Sequence, residues 1–345
     1  MKQFIFSLAA LSALILTTSC NKEALNHPNT PADGTAIVKI TALTEVETRA
    51  TGIADNSTDT KKVGSLQVFA FDNKGVLKAY ENTTSGSTVS MKLDIGREYS
   101  FYAVANNYGV SSWKYSSVAP ITSLSALKSI MTDLKDNTPD NLLMFSQAGV
   151  KKTITSSVEN IPIELTRLVS KIQIKKITVD FGSNDALKRK SFKIDSLFVI
   201  NAAAKETFDL ASETNVTYYN LGKFVTGNAY HLLLDKLSSA AEVSSATGVV
   251  TPYETVHTFF AYGNHTAKPT RLVISCNWGG ERTYYPINIT GADGYLSPNC
   301  AYVINQLTIK GMGSDNPDVI PERKNFTASV TIKDWATGFE KTVEL

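Results

Sequence analysis

Short segments in which apolar and polar residues alternate recur along this chain from residue 36 to its end. In Ala36–Val46, for example, Val38, Ile40 and Ala42 share one side and polar residues occupy the other. A two-residue period is typical of a strand that buries one face. Turn residues separate the segments at intervals typical of β-sandwiches. The sequence therefore predicts a mainly β protein with one or two short helices.

The length of the chain predicts more than one domain. Its 345 residues are too many for one small sandwich and suit two. An almost continuous β pattern in Leu168–Val179 follows the strand-like Ile161–Leu165. We therefore expect one β-sandwich domain over residues 50–165 and a second over residues 166–345.

Two further segments carry predictions of secondary structure, one of a helix and one of a strand. The first has apolar residues at helical spacing after a capping Thr122 or Ser123, and predicts a helix that packs on a sheet. Its apolar residues are Leu124, Leu127, Ile130, Met131 and Leu134. The second, Ala229–Leu234, is predicted to be a strand.

The first residues of the chain indicate export. Lys2 precedes an apolar run, Phe4–Leu16, which is too short to span a bilayer as an anchor and is typical of a signal peptide. Cys20 follows directly after small residues, as in bacterial lipoproteins. We expect residues 1–19 to be removed and Cys20 to carry the lipid that anchors the precursor to the outer membrane. An ordinary secretory signal is the alternative.

A basic residue lies in a polar stretch just after the first predicted strand. Thr48–Lys62 has no periodicity and reads as an exposed loop, the kind of segment where proteolysis concentrates. Cleavage between Arg49 and Ala50 would separate residues 20–49, with their strand, from the rest of the chain.

The chain ends in two amphipathic segments. Such strands can pair within their own domain or with another molecule. Their apolar positions are Phe326, Ala328, Val330 and Ile332 in the first segment, and Phe339, Val343 and Leu345 in the second, where Lys341 interrupts the pattern.

Nothing in the sequence points to catalysis. It has no nucleophile elbow, zinc motif, P-loop or dinucleotide fingerprint, and its four histidines have no common metal geometry. The sequence leaves open whether two of its carboxylates form the catalytic pair of a glycosidase. We predict no enzyme activity, cofactor or metal. The net charge of +2, without a basic patch interleaved with aromatics, argues against nucleic acid.

Two further features leave alternatives open. Trp113, Trp278 and Trp335 could form a platform for sugars or could be packing residues. Cys276 and Cys300 lie in strand-like segments of an exported chain, where either a disulfide or two separate thiols is possible.

Several motifs, taken in order along the chain, resemble the fimbrillin family of Bacteroidetes, the type V pilins. Besides the leader and Arg49-Ala50, they are Leu165–Ile172, Asn299–Val303 leading to Gly311–Gly313, and Val330–Trp335. Each is weak alone, and their order is the evidence. Ser170 departs from the alanine that members of the family often carry.

The resemblance implies two tandem transthyretin-like Greek-key β-sandwiches and a lipoprotein precursor that an arginine-specific protease cuts at Arg49. The removed strand would carry Val38, Ile40 and Ala42, and a C-terminal strand of a neighbouring subunit would replace it. The expected partners are other fimbrial subunits, that protease and a host or bacterial receptor. The expected location is a cell-surface fimbria.

The alternative function is that of a glycan-binding outer-membrane surface lipoprotein. Within the fimbrial hypothesis the sequence leaves open whether the subunit belongs to the shaft, the tip or an accessory position. It also leaves open which C-terminal strand is the donor.

Overall fold

The computed structural model describes residues 34–44, 62–107, 121–211, 217–227, 230–242, 252–291, 293–322, 325–334 and 340–344. These residues are mainly in strands, as the sequence predicts. The strands of the first half are β1 (Thr35–Thr44), β2 (Leu66–Phe71), β3 (Leu77–Thr83), β4 (Thr88–Asp94), β5 (Glu98–Ala105), β6 (Met131–Asp133), β7 (Met144–Phe145), β8 (Val150–Thr153) and β9 (Val158–Arg167).

The second half continues the numbering. Its strands are β10 (Val169–Ile174), β11 (Ile177–Val179), β12 (Phe192–Ile200), β13 (Ala202–Ala203), β14 (Lys205–Thr207), β15 (Tyr218–Tyr219), β16 (Leu234–Glu242), β17 (His257–Tyr262), β18 (Arg271–Trp278), β19 (Glu281–Asn288), β20 (Cys300–Ile309), β21 (Phe326–Asp334) and β22 (Glu340–Glu344). The helices among the described residues are short: α1 (Leu124–Lys128), α2 (Asp185–Lys188), α3 (Tyr230–Leu233) and a 3-10 turn at Leu134–Asp136.

The N-terminal sheet folds back on itself to form a sandwich. Its strand order is β3-β2-β5-β7-β9-β1-β4, with β8 beside β5. Val68 of β2 and Met91 of β4 belong to one buried apolar cluster, although the two strands are not neighbours in the sheet. We call this cluster the N-terminal core. The two halves of the sheet therefore enclose it.

Two further sheets enclose the C-terminal core. One has the order β17-β10-β20-β21-β22, with β11 beside β20, and the other has the order β16-β12-β18-β19. Ile172 and Tyr302 from the first sheet share a buried cluster with Leu197 and Ile274 from the second. We call this cluster the main core.

The main core also reaches into the N-terminal half. All six residues of β2 are buried, and its Phe71 side chain belongs to the main core. A row of rings continues from there: the Phe71 and Tyr102 centroids are 6.1 Å apart, those of Tyr102 and Phe145 5.8 Å, and those of Phe145 and Phe208 5.3 Å. Aromatic packing thus links the two halves of the chain.

Two of the motifs that carried the family resemblance meet at the junction of the halves. The chain leaves the N-terminal sheet at Arg167 and enters another sheet at Val169, where β10 pairs in parallel with β20. The Asn299 side-chain oxygen accepts from the Arg167 backbone N–H (3.2 Å), and the Asn299 backbone N–H donates to the Val169 carbonyl (3.1 Å). The domain boundary at 165/166 stays a prediction.

The helix predicted from Leu124 onward is confirmed only for its first turns. Ser123 caps it as expected, with its hydroxyl oxygen accepting from the Ala126 amide at 3.2 Å. The prediction that it continues to Leu134 is wrong, because Met131–Asp133 pair as a strand with β14. Tertiary pairing overrides the local helical spacing there.

The strand predicted over Ala229–Leu234 is also wrong. Tyr230–Leu233 form a helical turn, and the strand begins only at Leu234. Leu232 and Leu233 are both buried although they are consecutive, a pattern that a one-sided strand does not give. Leucine also has a high helix propensity, which the apolar pattern alone did not weigh.

The two cysteines of the C-terminal half are not bonded to each other. Cys276 is buried in the main core, and Cys300 is half-buried at the start of β20. No disulfide joins them, which settles the alternative that the sequence left open.

We predict that Gly149→Ala weakens the ring row. Gly149 has φ +64°, and an added Cβ would lie 2.5 Å from the Tyr102 ring. We expect the free energy of unfolding to fall by about 2–3 kcal/mol in chemical denaturation, from the left-handed backbone and the overpacked ring together. Gly86→Ala is the control, because Gly86 also has positive φ (+99°) but open space around it. Equal losses in the two variants would contradict the ring contact.

Candidate functional site

Strand β1 is an inner strand of the N-terminal sheet. It runs parallel to β9, with Ile40 opposite Ile161, and antiparallel to β4, with Ile40 opposite Val89. Both of its edges therefore carry backbone ladders. Among the described residues, β4 pairs with no strand other than β1.

One face of β1 belongs to the N-terminal core. Ala36, Val38 and Ile40 are fully buried and Ala42 is 7% exposed, while Lys39 between them is exposed. The alternation seen in the sequence is therefore the alternation of a half-buried strand. Burial of the Val and Ile side chains stabilises the fold by roughly 1.5–3 kcal/mol each.

Loops close both ends of β1. The Ile95 amide donates to the Gly34 carbonyl and the Ile37 amide donates to the Ser157 carbonyl, each at 2.9 Å. At the other end the Ala42 amide donates to the Ser87 carbonyl at 2.8 Å. Backbone hydrogen bonds therefore hold β1 at both of its ends as well as along both of its edges.

Glu159 organises the turn that leads into β9, opposite Val38. Its Oε1 accepts from the backbone amides of Thr155 and Ser156, both at 3.2 Å, and from both hydroxyls at 3.1 Å. The Thr155 amide, then these hydroxyls and the Lys152 ammonium, lower the pKa of Glu159 to about 2. A charged Glu159 thus fixes the turn beside the start of β1.

The predicted processing residues lie outside the described part of the chain. This applies to Cys20, Arg49, Ala50 and most of the predicted loop Thr48–Lys62. In sequence, residues 45–61 are the connection between β1 and the residues that precede β2.

The predicted donor residues of the first tail segment lie on β21. This strand lies between β20 and β22, and its Phe326, Ala328 and Val330 side chains belong to the main core, with Ile332 packed against it. Strand β22 follows at the edge of the sheet, where Val343 is opposite Val330. Phe339 and Leu345 lie outside the described residues.

The sequence reasoning missed a polar cluster around a buried histidine at the start of β17. His257 Nδ1 is 2.6 Å from Asp235 Oδ2, and its Nε2 is 2.9 Å from the Tyr253 hydroxyl. His257 is only 3% exposed. The cluster joins β16, β17 and the segment before β17, which separate positions in the sequence did not reveal. We assign it a structural role.

Trp278 does not belong to a sugar platform. It is fully buried in the main core, where its ring stacks on Phe181 with centroids 4.6 Å apart. This confirms the packing alternative for Trp278, whereas Trp113 and Trp335 lie outside the described residues.

The described residues contain no group of three or more His, Cys, Asp or Glu side chains placed to hold a metal ion. None of their helices combines the length and apolarity needed to cross a membrane.

Comparison in sequence finds one family model that matches part of the chain. Residues 36–175 match the model of the family described as "Major fimbrial subunit protein (FimA)". The match includes β1 and its neighbours β4 and β9. No curated protein matches the chain. The resemblance to fimbrillins is confirmed by this match.

Comparison of structures identifies similar folds over nearly the whole chain. A fimbrilin from Porphyromonas gingivalis is 15% identical, with a TM-score of 0.62, 88% of this chain covered and 98% of that one. A protein from Bacteroides eggerthii that is provisionally assigned to cell adhesion is 19% identical, with a TM-score of 0.62. The match covers 90% of this chain and 98% of that one. A similarly assigned protein from Parabacteroides distasonis is 18% identical, with a TM-score of 0.61. The match covers 88% of this chain and 99% of that one. At these identities the likeness concerns the fold.

We predict that Ile40→Ala destabilises the uncut chain. Ile40 is fully buried, so the substitution removes core contacts and should lower the free energy of unfolding by about 2–4 kcal/mol in chemical denaturation. Lys39→Ala, on the exposed face of the same strand, should change it by less than about 0.5 kcal/mol. Similar effects of the two substitutions would mean that β1 does not bury this face.

We predict an acid-sensitive contribution from Glu159. Its lowered pKa means that its stabilising effect is complete above the unfolded value of 4.5 and is lost as the pH falls towards about 2. The unfolding midpoint of the natural chain should therefore fall relative to that of Glu159→Gln between about pH 5 and pH 2. Parallel pH profiles of the two proteins would be inconsistent with a charge-dependent turn.

Proposed function

We propose that the chain is a structural subunit of a surface fimbria. The match to the fimbrial subunit family over residues 36–175 and the fold shared with a fimbrilin support this role. The position of β1 is the observation that carries the mechanism. It is an inner strand with one buried face, and the predicted cleavage site follows it closely in sequence.

In the proposed mechanism, an arginine-specific protease cuts between Arg49 and Ala50. Among the described residues, β1 is then held by noncovalent contacts with β4, β9, the N-terminal core and the loops at its two ends. Its loss would expose an apolar groove bordered by two rows of unpaired backbone groups. An extended strand from another molecule can fill such a groove by β-strand addition.

The C-terminal strands β21 and β22 are the proposed donors. In β21 the apolar side chains of Phe326, Ala328, Val330 and Ile332 recur at every second position, as do those of Ala36, Val38, Ile40 and Ala42 in β1. That match favours β21 as the inserted strand.

Release of the two donor strands has different consequences. Withdrawal of β21 removes three buried side chains from the main core and breaks its pairing with β20. The edge strand β22 pairs with β21 alone among the described strands, so it can leave more easily. However, Lys341 interrupts the apolar alternation of the second tail segment in sequence, and a lysine suits an apolar groove poorly. We therefore propose that the two strands move as a pair.

This exchange would propagate. The groove and the donor lie on different parts of the subunit, so the contact is head-to-tail and builds a filament when its rotation does not close a ring. In the precursor, β1 occupies the groove and blocks assembly. We propose that the lipid on Cys20 holds the precursor at the outer membrane until the cut, and that the assembled fimbria supports adhesion to a host or bacterial receptor.

We predict that Arg49→Ala prevents assembly. The lipid-free precursor should form filaments and SDS-resistant ladders after treatment with an arginine-specific protease, whereas Arg49→Ala should remain uncut and monomeric. Arg97→Ala, at an exposed arginine in the turn after β4, should behave like the natural chain. Cleavage at Arg49 that leaves the protein monomeric would refute the mechanism.

A truncation distinguishes the donors in the same assay. A chain that ends at Asp334 keeps β21 but lacks β22. If the pair acts together, this chain should be cut normally and fail to assemble. Normal filaments from the truncated chain would assign the donor role to β21 alone.

A further inference from the structure

A groove of about 470 Å³ lies on the outer face of the sheet β16-β12-β18-β19. The sheet forms its floor, while Lys223 and Phe224 from one loop and Asp315 and Pro317 from another form its walls. The volume is in the range of sites that bind small molecules, about 300–1,000 Å³. The groove uses neither β1 nor the donor strands.

The strand register divides the floor into a polar and an apolar row. Lys236, Ser196, Ser275 and Tyr284 are successive cross-strand neighbours from β16 to β19. The adjacent row centres on Phe198, which belongs with Ile200, Val273, Phe224, Leu234 and Tyr284 to a small apolar cluster separate from both cores. A molecule on this floor would meet hydroxyls and an ammonium on one side and aromatic and aliphatic groups on the other.

Ser275 has an unused hydroxyl in the floor of the groove. The residue is 1% exposed, and its Oγ has no hydrogen-bond partner among the residues that the structure describes. A buried polar group without a partner is destabilising, so such groups usually pair with a water, an ion or a ligand. A ligand hydroxyl or carboxylate in the groove would supply the missing partner.

The charges around the groove favour an anion. Arg282 and Asp195 form an ion pair with 3.7 Å between Nη2 and Oδ2, which leaves Lys223, Lys236 and Asp315. Both lysines are exposed, and neither has an ion-pair partner within the described part of the chain. Both ammonium groups are therefore available to a carboxylate in the groove without the loss of an existing ion pair.

Three aromatic rings border the same space. The Phe198 and Phe224 centroids are 5.4 Å apart, and those of Phe198 and Tyr284 are 6.3 Å apart with their planes at 76°. Rings carry negative charge on their faces, which attract the slightly positive C–H groups of a sugar ring. Apolar ring faces beside hydroxyls and cations suit an acidic saccharide.

An added peptide strand suits the groove less well. On the side of β19, Tyr284 already exchanges backbone hydrogen bonds with Ser314, at 2.8 and 2.9 Å. That contact blocks strand addition beside Tyr284. A ligand in the groove must therefore be recognised mainly by side chains.

We propose that this groove binds an acidic saccharide. A sugar ring packs on Phe198 and Tyr284, its carboxylate faces Lys223 and Lys236, and a hydroxyl pairs with Ser275. The site goes beyond the structural role of a fimbrial subunit and does not depend on cleavage or assembly.

Calorimetry on the uncut full chain tests the proposal. Trigalacturonate and 3′-sialyllactose represent two sources of a carboxylated sugar, maltotriose is the neutral control and triglutamate is the peptide control. We expect saturable binding of at least one acidic sugar with a Kd of ~1 mM or tighter at low salt. We expect at least fivefold weaker binding of maltotriose and triglutamate.

Variants assign the binding to the groove. Lys236→Gln and Ser275→Ala should each weaken binding of the acidic sugar about fivefold, whereas Lys205→Gln, at an exposed strand lysine outside the groove, should leave it unchanged. Ser275→Ala should unfold at the same or a higher denaturant concentration, because it removes an unpaired buried hydroxyl. No binding of either acidic sugar, equal binding of maltotriose or triglutamate, or unchanged affinity in both groove variants would overturn the proposal.

Discussion

The N-terminal sandwich depends on the position of β1 between β4 and β9. No other strand in the described part of the chain pairs with β4, so β1 provides its backbone link to the sheet. The same strand contributes Val38 and Ile40 to the N-terminal core. Strand β1 thus supplies both backbone pairing and apolar packing. Its removal would open the sandwich along one seam, the gap between β4 and β9, and would leave the other strand pairs in place.

The division of the apolar side chains into separate clusters confines the effect of that opening. Strand β1 belongs only to the N-terminal core, whereas Phe326, Ala328 and Val330 of β21 belong to the main core. Strand β2 lies between the two cores, with Val68 in one and Phe71 in the other. The row of aromatic rings that continues from Phe71 could therefore hold the two halves of the chain together while another strand replaces β1 between β4 and β9.

The sequence predicted the parts of this arrangement that depend on local patterns. Strands β1 and β21 each bury one face, and this gave the alternation from which both were recognised. Strand order could not be predicted in the same way, because Ile40 meets Val89 and Ile161 through long-range pairing. Tertiary pairing also decided Met131–Asp133. The groove residues were missed because Ser196, Ser275 and Tyr284 become neighbours only through the register of three strands.

The groove on the outer face and the seam at β1 place different demands on the same subunit. Strand exchange needs an inserted strand with apolar side chains and a groove with unpaired backbone groups. In the proposed mechanism, these become available only after cleavage at Arg49. Saccharide binding needs fixed side chains, and the inner strands β12 and β18 hold Phe198 and Ser275 in register through pairs on both sides. The groove shares no residue with β1 or β21. A filament built through the seam could therefore present one such groove on every subunit, and weak individual contacts would add up through multivalency.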